Sequence, residues 1–171
     1  QSTLPPELQY DVPAKIRSVQ IPVYPYADRQ ENDRGKVTAT VLVGPDGHVA
    51  MVKIRSADKP EFGQALTAAL EGFNFDPALK AGKPTRMLIN FEQEFDRTHL
   101  PDEESDRLLG LEKKHPDRIV SADTLDLPLH PLSIKKPIFP KELLDKSTTG
   151  KTVIEILIDE KGHAKLPRVV S

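Results

Sequence analysis

The chain is 171 residues long, 37% hydrophobic and 29% charged, with a formal net charge of −2. That length holds one ordinary domain or two small ones, and the near-neutral charge gives no general attraction to nucleic acid or anionic membrane. No apolar run approaches the roughly 20 residues needed to cross a bilayer, and the absence of cysteine excludes disulfides, thiolate nucleophiles and cysteine-ligated metals.

In chain order, residues 1–19 read as a lead-in, and Gln1 is compatible with the first residue left after removal of a signal peptide. Residues 36–43 alternate, with Val37, Ala39, Val41 and Val43 on one face, which predicts a strand. Gly44-Pro45-Asp46-Gly47 supplies turn chemistry, and residues 48–56 return as a second strand with Ala50, Val52 and Ile54 on one side. Pro60 and Glu61 suit the start of a helix. Phe62, Ala65, Leu66, Ala69, Leu70 and Phe73 recur at helical spacing, and Gly72 is placed to end the helix. After a corner at residues 75–77, residues 84–95 predict one long strand. Met87, Ile89, Phe91 and Phe95 lie on one face, while Arg86, Asn90, Glu92 and Glu94 lie on the other with Leu88. Its charged outer face is that of a sheet edge.

Residues 97–130 read as a charged linker with a short helix between positions 101 and 114. Acidic residues stand at the start of that helix and basic ones at its end, as its dipole favours. Residues 22–56 then overlay residues 137–171 without a gap, at a constant offset of 115. Pro22-Val23-Tyr24-Pro25 falls on Pro137-Ile138-Phe139-Pro140, Gly35-Lys36 on Gly150-Lys151, Val41 and Val43 on Ile156 and Ile158, and Gly47-His48 on Gly162-His163. The expectation is an α+β fold: a three-stranded antiparallel sheet with a packed helix at residues 20–96, and the first half of a second copy at 131–171. The second copy stops after its hairpin. Its uncovered apolar face predicts continuation beyond Ser171 in the native protein, or docking on the first domain or on another chain.

The ordered set Pro22 to Pro25, Gly35 to Val37, Asp46-Gly47, Ser56, Ala65 to Ala69, Phe73-Asn74-Phe75-Asp76-Pro77 and Met87 to Phe95 resembles the C-terminal domain of the TonB family. Gln20, with Ile21 intervening, is the displaced counterpart of a glutamine that precedes the Pro-x-Tyr-Pro motif in that family. The resemblance implies a periplasmic module that binds an extended segment of an outer-membrane receptor, or of another envelope protein, during energy transduction. It also implies anchoring or export through a segment outside these residues. Strand addition would place the contact on Gln20, Pro22, Tyr24, Pro25, Arg86, Leu88, Asn90 and Glu92. For Tyr24 the structural reading, a ring seated against the sheet, is preferred to a direct contact. A structural or oligomerising envelope protein, self-associating through its strands, is the alternative.

No catalytic constellation emerges. The five histidines show no metal-ligand spacing, and no phosphate loop, dinucleotide fingerprint or nucleophile elbow is present. The sequence therefore predicts a binding module with no enzyme activity, no cofactor and no metal.

Overall fold

The computed structural model describes residues 4–134, 136–137, 139, 143 and 149–171. The chain divides into two units, one running to Leu100 and the other made of Pro101–Pro137 and Thr149–Ser171.

The first unit contains β1 (Lys15–Ser18), α1 (Tyr26–Glu31), β2 (Gly35–Val43), β3 (Val49–Ala57), α2 (Pro60–Glu71), β4 (Asn74–Asp76), β5 (Ala78–Lys80), β6 (Lys83–Thr85) and β7 (Met87–Phe95). Its main sheet is antiparallel, in the order β3-β2-β7. The period-two pattern of β2 sends Val37, Ala39, Val41 and Val43 into the core, each no more than 1% exposed. The helical stripe of α2 meets them with Phe62, Leu66 and Leu70. The Phe62 and Phe95 rings stack with centroids 4.6 Å apart, and Tyr24 packs edge-on against both. Burying a ring of this size contributes about 1.5–3 kcal/mol. Gly35 makes the arrangement possible, because a Cβ there would lie 2.7 Å from Phe62 Cε2.

Two expectations need correction. The predicted strand at 84–95 is two strands: β6 folds back on β5 through Ala81 and Gly82, both at positive φ, and β7 begins only at Met87, which leaves Arg86 outside any strand. A two-residue turn of this hand suits the twist of a tight hairpin. In β3 the register slips twice, leaving Ala50 and Arg55 without partners in β2. Val49 is consequently buried, whereas Ala50, which strict alternation puts on the side of half-buried Val52 and Ile54, is exposed. The lead-in carries a strand of its own: β1 pairs with β4, and Val12 bridges Leu79.

Helix α1 gave no signal in the sequence. It carries two buried charged residues, Asp28 and Arg29. Lys59 Nζ binds Asp28 at 2.7 Å and also binds Asp33. Arg29 Nη1 donates to the Leu100 carbonyl at 3.2 Å, and Arg97 Nη2 donates to the Arg29 carbonyl at 2.9 Å. These bonds fasten residues 97–100 onto the domain and so hold the far end of β7 in place.

The second unit contains α3 (Glu103–Lys114), β8 (Ile154–Ile158) and β9 (Ala164–Val169). Asp102 caps α3 by accepting from the Ser105 amide at 3.1 Å. Lys165 binds Asp102 and Arg168 binds Glu112, both at 3.0 Å, and Leu108, Leu109 and Leu166 are buried. The helix beside this hairpin thus precedes it in the chain, whereas α2 follows the first hairpin. Ile154, Ile156 and Ile158 remain 42–57% exposed. The two hairpins close alike. Gly44 N–H donates to His48 O at 2.8 Å and Gly47 N–H to Gly44 O at 3.0 Å; at the offset of 115, Asp159 donates to His163 at 3.0 Å and Gly162 to Asp159 at 2.9 Å. Of the earlier overlay, Ile138 and Pro140 lie outside the described residues.

Candidate functional site

Among the described residues, β3 and β7 are the two edges of the main sheet, and they differ in regularity. Every residue of β7 faces one residue of β2, from Val43↔Met87 to Gly35↔Phe95. The two bulges of β3 break the even spacing that an added strand would follow.

The direction of the β7 backbone groups follows from bonds at both ends of β2. Lys36 O accepts from Asp58 N at 3.1 Å, and Gly44 N donates to His48 O at 2.8 Å, so even-numbered positions of β2 bond toward β3. Antiparallel alternation then turns the odd-numbered positions of β2 toward β7. In the observed register these bond Met87, Ile89, Phe91, Gln93 and Phe95. Leu88, Asn90, Glu92 and Glu94 therefore direct both N–H and C=O to the open edge. Their side chains stand on the solvent face, away from the core.

The solvent face is ordered by its own polar contacts. Arg55 Nε donates to Thr40 Oγ1 at 3.0 Å, and Thr40 donates to Asn90 Oδ1 at 2.8 Å, a ladder that crosses all three strands. Lys36 Nζ pairs with Glu92 at 2.7 Å, and this hydrogen bond is the main cause holding the ammonium pKa above its ordinary value. Leu42 lies opposite both Met51 and Leu88, so an apolar row crosses the sheet at one end of the same face.

The structure brings Leu88, Asn90 and Glu92 together but separates the other candidates from them. Arg86 is exposed just before β7. Gln20 lies beside Gly72 at the end of α2, where a Cβ at position 72 would meet its side-chain oxygen. Pro22 and Pro25 are half-buried. They flank Tyr24, whose ring is in the core and whose hydroxyl donates to the Asp33 carbonyl. Burial is the main cause of the raised Tyr24 pKa, partly offset by Arg29, whose guanidinium lies 5.4 Å from the ring centroid. The preferred structural reading of Tyr24 fits this position.

One grouping was not legible from spacing. Glu94, Asp96 and His99 bring ligand-type atoms within 4.8 Å of one another. His99 Nδ1 lies 3.0 Å from Asp96 Oδ2 and 3.3 Å from Glu94 Oε2. The bond to Asp96 raises the His99 pKa. The backbone amide of His99, and then its ring, hold Asp96 below the usual carboxylate range. These contacts form an exposed ion-pair cluster at the end of β7. In the second unit, a cleft of about 320 Å³ is lined mainly by apolar residues, including Leu108, Ile119, Leu125 and Ile156. Among the described residues, no helix is long and apolar enough to cross a membrane.

A family model, Gram-negative bacterial TonB protein C-terminal, matches residues 20–96. A solution structure of the Pseudomonas aeruginosa TonB C-terminal domain is similar at 20% identity and a TM-score of 0.45, covering 50% of this chain and 88% of that one. No curated protein matches.

Proposed function

Residues 20–96 belong to the TonB C-terminal family, and from that premise we propose that this domain binds an extended segment of an envelope protein by strand addition along β7. The family is a periplasmic, non-enzymatic interaction module of Gram-negative energy transduction and transport. The observation carrying the finer reading is the unbulged nine-residue β7. Alternate residues there hold four pairs of backbone donors and acceptors toward open solvent. A peptide laid alongside gains ladder hydrogen bonds in a register already set by the sheet. Affinity then comes from the backbone, and no single side chain is indispensable. The partner class is a periplasm-facing segment of an outer-membrane receptor or similar envelope protein. Gln20, Pro22, Tyr24 and Pro25 act by seating the chain's entry rather than by touching the segment.

The hairpin at β8 and β9 is best understood as the opening of a second copy. Its support is the common offset of 115 and the shared turn, in which Gly47 and Gly162 adopt φ of 79° and 84°.

Hydrogen exchange tests the docking. In the free chain, the amides of Leu88, Asn90, Glu92 and Glu94 should exchange faster than their neighbours Ile89, Phe91 and Gln93. A bound receptor segment should slow the first set selectively. Protection confined to β3 or α2, with the outward β7 amides still exchanging freely, would overturn the reading.

A further inference from the structure

Resting on the strand-addition reading, we infer that the edge selects a segment with basic residues opposite Glu92 and Glu94, taken antiparallel to β7 as both existing pairings of the sheet are. The same segment carries an apolar residue opposite Leu88 and, on its other face, apolar residues opposite Ile89 and Phe91. The argument starts from an unevenness in the core. Val37, Ala39 and Val41 are at most 1% exposed, whereas Gln93, Phe91 and Ile89, their partners in β7, are only half-buried. Phe73 meets Phe91 edge-on at 5.7 Å and is itself half-buried. The apolar layer under the sheet therefore runs out to half-buried Ile89 and Phe91 at the edge, with no further strand beside them among the described residues. A strand added there places its odd-facing side chains over Ile89 and Phe91.

On the solvent face, cross-strand neighbours set the remaining preferences. Leu88 continues the apolar row of Met51 and Leu42 to the edge. Asn90 ends the polar ladder, with its carbonyl already engaged by Thr40. Glu92, Glu94 and the following Asp96 then place three carboxylates near one end. Among the described residues, Lys36, and His99 when protonated, meet them from the domain's own side. Lysine or arginine on the incoming strand would meet this acidic end, whereas aspartate or glutamate would meet like charge. The pattern, read from the partner's N-terminus, is basic, any, basic, apolar, polar, apolar, apolar.

The test uses the full 171-residue chain, isotope-labelled, and three capped peptides. The first is Lys-Thr-Lys-Val-Thr-Val-Leu; the second and third carry Gln or Glu in place of both lysines. Backbone amide shifts report Kd for each. The lysine peptide should bind about 2- to 25-fold tighter than the glutamine one, since each cross-strand ion pair contributes roughly 1.4- to 5-fold. The glutamate peptide should be weakest, and added salt should narrow the differences. A Glu92→Gln/Glu94→Gln double variant should bind all three alike while keeping the affinity for the glutamine peptide. Equal binding of the three peptides to the wild type would overturn the charge preference and leave strand addition standing. Failure of all three would overturn both. Concentration-dependent shifts of the same amides without peptide would assign the edge to a second copy of the chain and also overturn the inference.

Discussion

Proline scanning separates the two sets of β7 amides without any partner. Asn90→Pro removes a donor that faces the open edge, where proline is tolerated within a sheet. Its remaining cost is the lost hydrogen bond from Thr40 to Asn90, about 1 kcal/mol. Gln93→Pro removes a donor aimed at β2. The partner in register is Val37, which is fully buried, so its carbonyl is left stranded. Losing the ladder bond costs about 1 kcal/mol and stranding the carbonyl about 1–3 kcal/mol more, a total of about 2–4 kcal/mol. Urea denaturation followed by circular dichroism should therefore place the Gln93→Pro midpoint below that of Asn90→Pro. The separation should be about 1 M for a domain of this size. The reverse order would show that the outward and inward amides are exchanged, and equal costs would show that β7 does not have two distinct sets. The docking edge would then have to be redrawn.

Two further outcomes follow from the packing and the charges. Phe62→Ala empties the ring stacked on Phe95 and should destabilise the domain by about 3–5 kcal/mol in the same denaturation assay; a loss below about 1 kcal/mol would contradict its central place. His99 should titrate above its ordinary 6.5 by NMR, and Asp96→Asn should lower that midpoint, because Asp96 is the main cause of the shift. A raised folded-state pKa means that the folded chain holds the proton more tightly. The stabilisation from His99 is thus fully present below about pH 6.5 and fades as pH rises through the folded value. A wild-type midpoint at or below 6.5 would refute this.

The sequence made the framework of the domain readable where one periodicity dominated. Val37 to Val43 and the Phe62–Phe73 stripe each bury a single face, and burial of that face fixes the element. The bulges in β3 were not readable, since Ala50, Val52 and Ile54 keep perfect alternation on paper. The slip comes from pairing with β2, a non-local interaction. Helix α1 was missed because its buried residues are Asp28 and Arg29, whose burial depends on partners as distant as Lys59 and Leu100. The break at Arg86 within 84–95 leaves no mark in the alternation, because it follows from β6 pairing back on β5 through the Ala81-Gly82 turn. Alternation placed Asn90 and Glu92, with Leu88, on the outer face of β7, while their candidacy as a contact came from the family resemblance and the sheet edge. The seat of Tyr24 was legible only as a preference, and the Glu94–Asp96–His99 cluster joins a strand end to a loop that no ligand-spacing rule anticipates.

The unequal edges of the sheet bear on how far association through it can spread. A domain with two regular edges can add its own copies one after another, since each arrival leaves a fresh edge like the first. Here the bulges at Ala50 and Arg55 spoil one side, so stacking β7 of one copy on β3 of the next is disfavoured. What remains is β7 against an outside strand, or β7 against β7 about a two-fold axis. The second consumes both regular edges and leaves only the bulged β3 strands outside, whereas the first leaves the far side of the added strand as the new edge. Pairing between two copies through β7 would therefore end after one addition, which matters in a protein whose other hairpin leaves Ile154, Ile156 and Ile158 about half exposed.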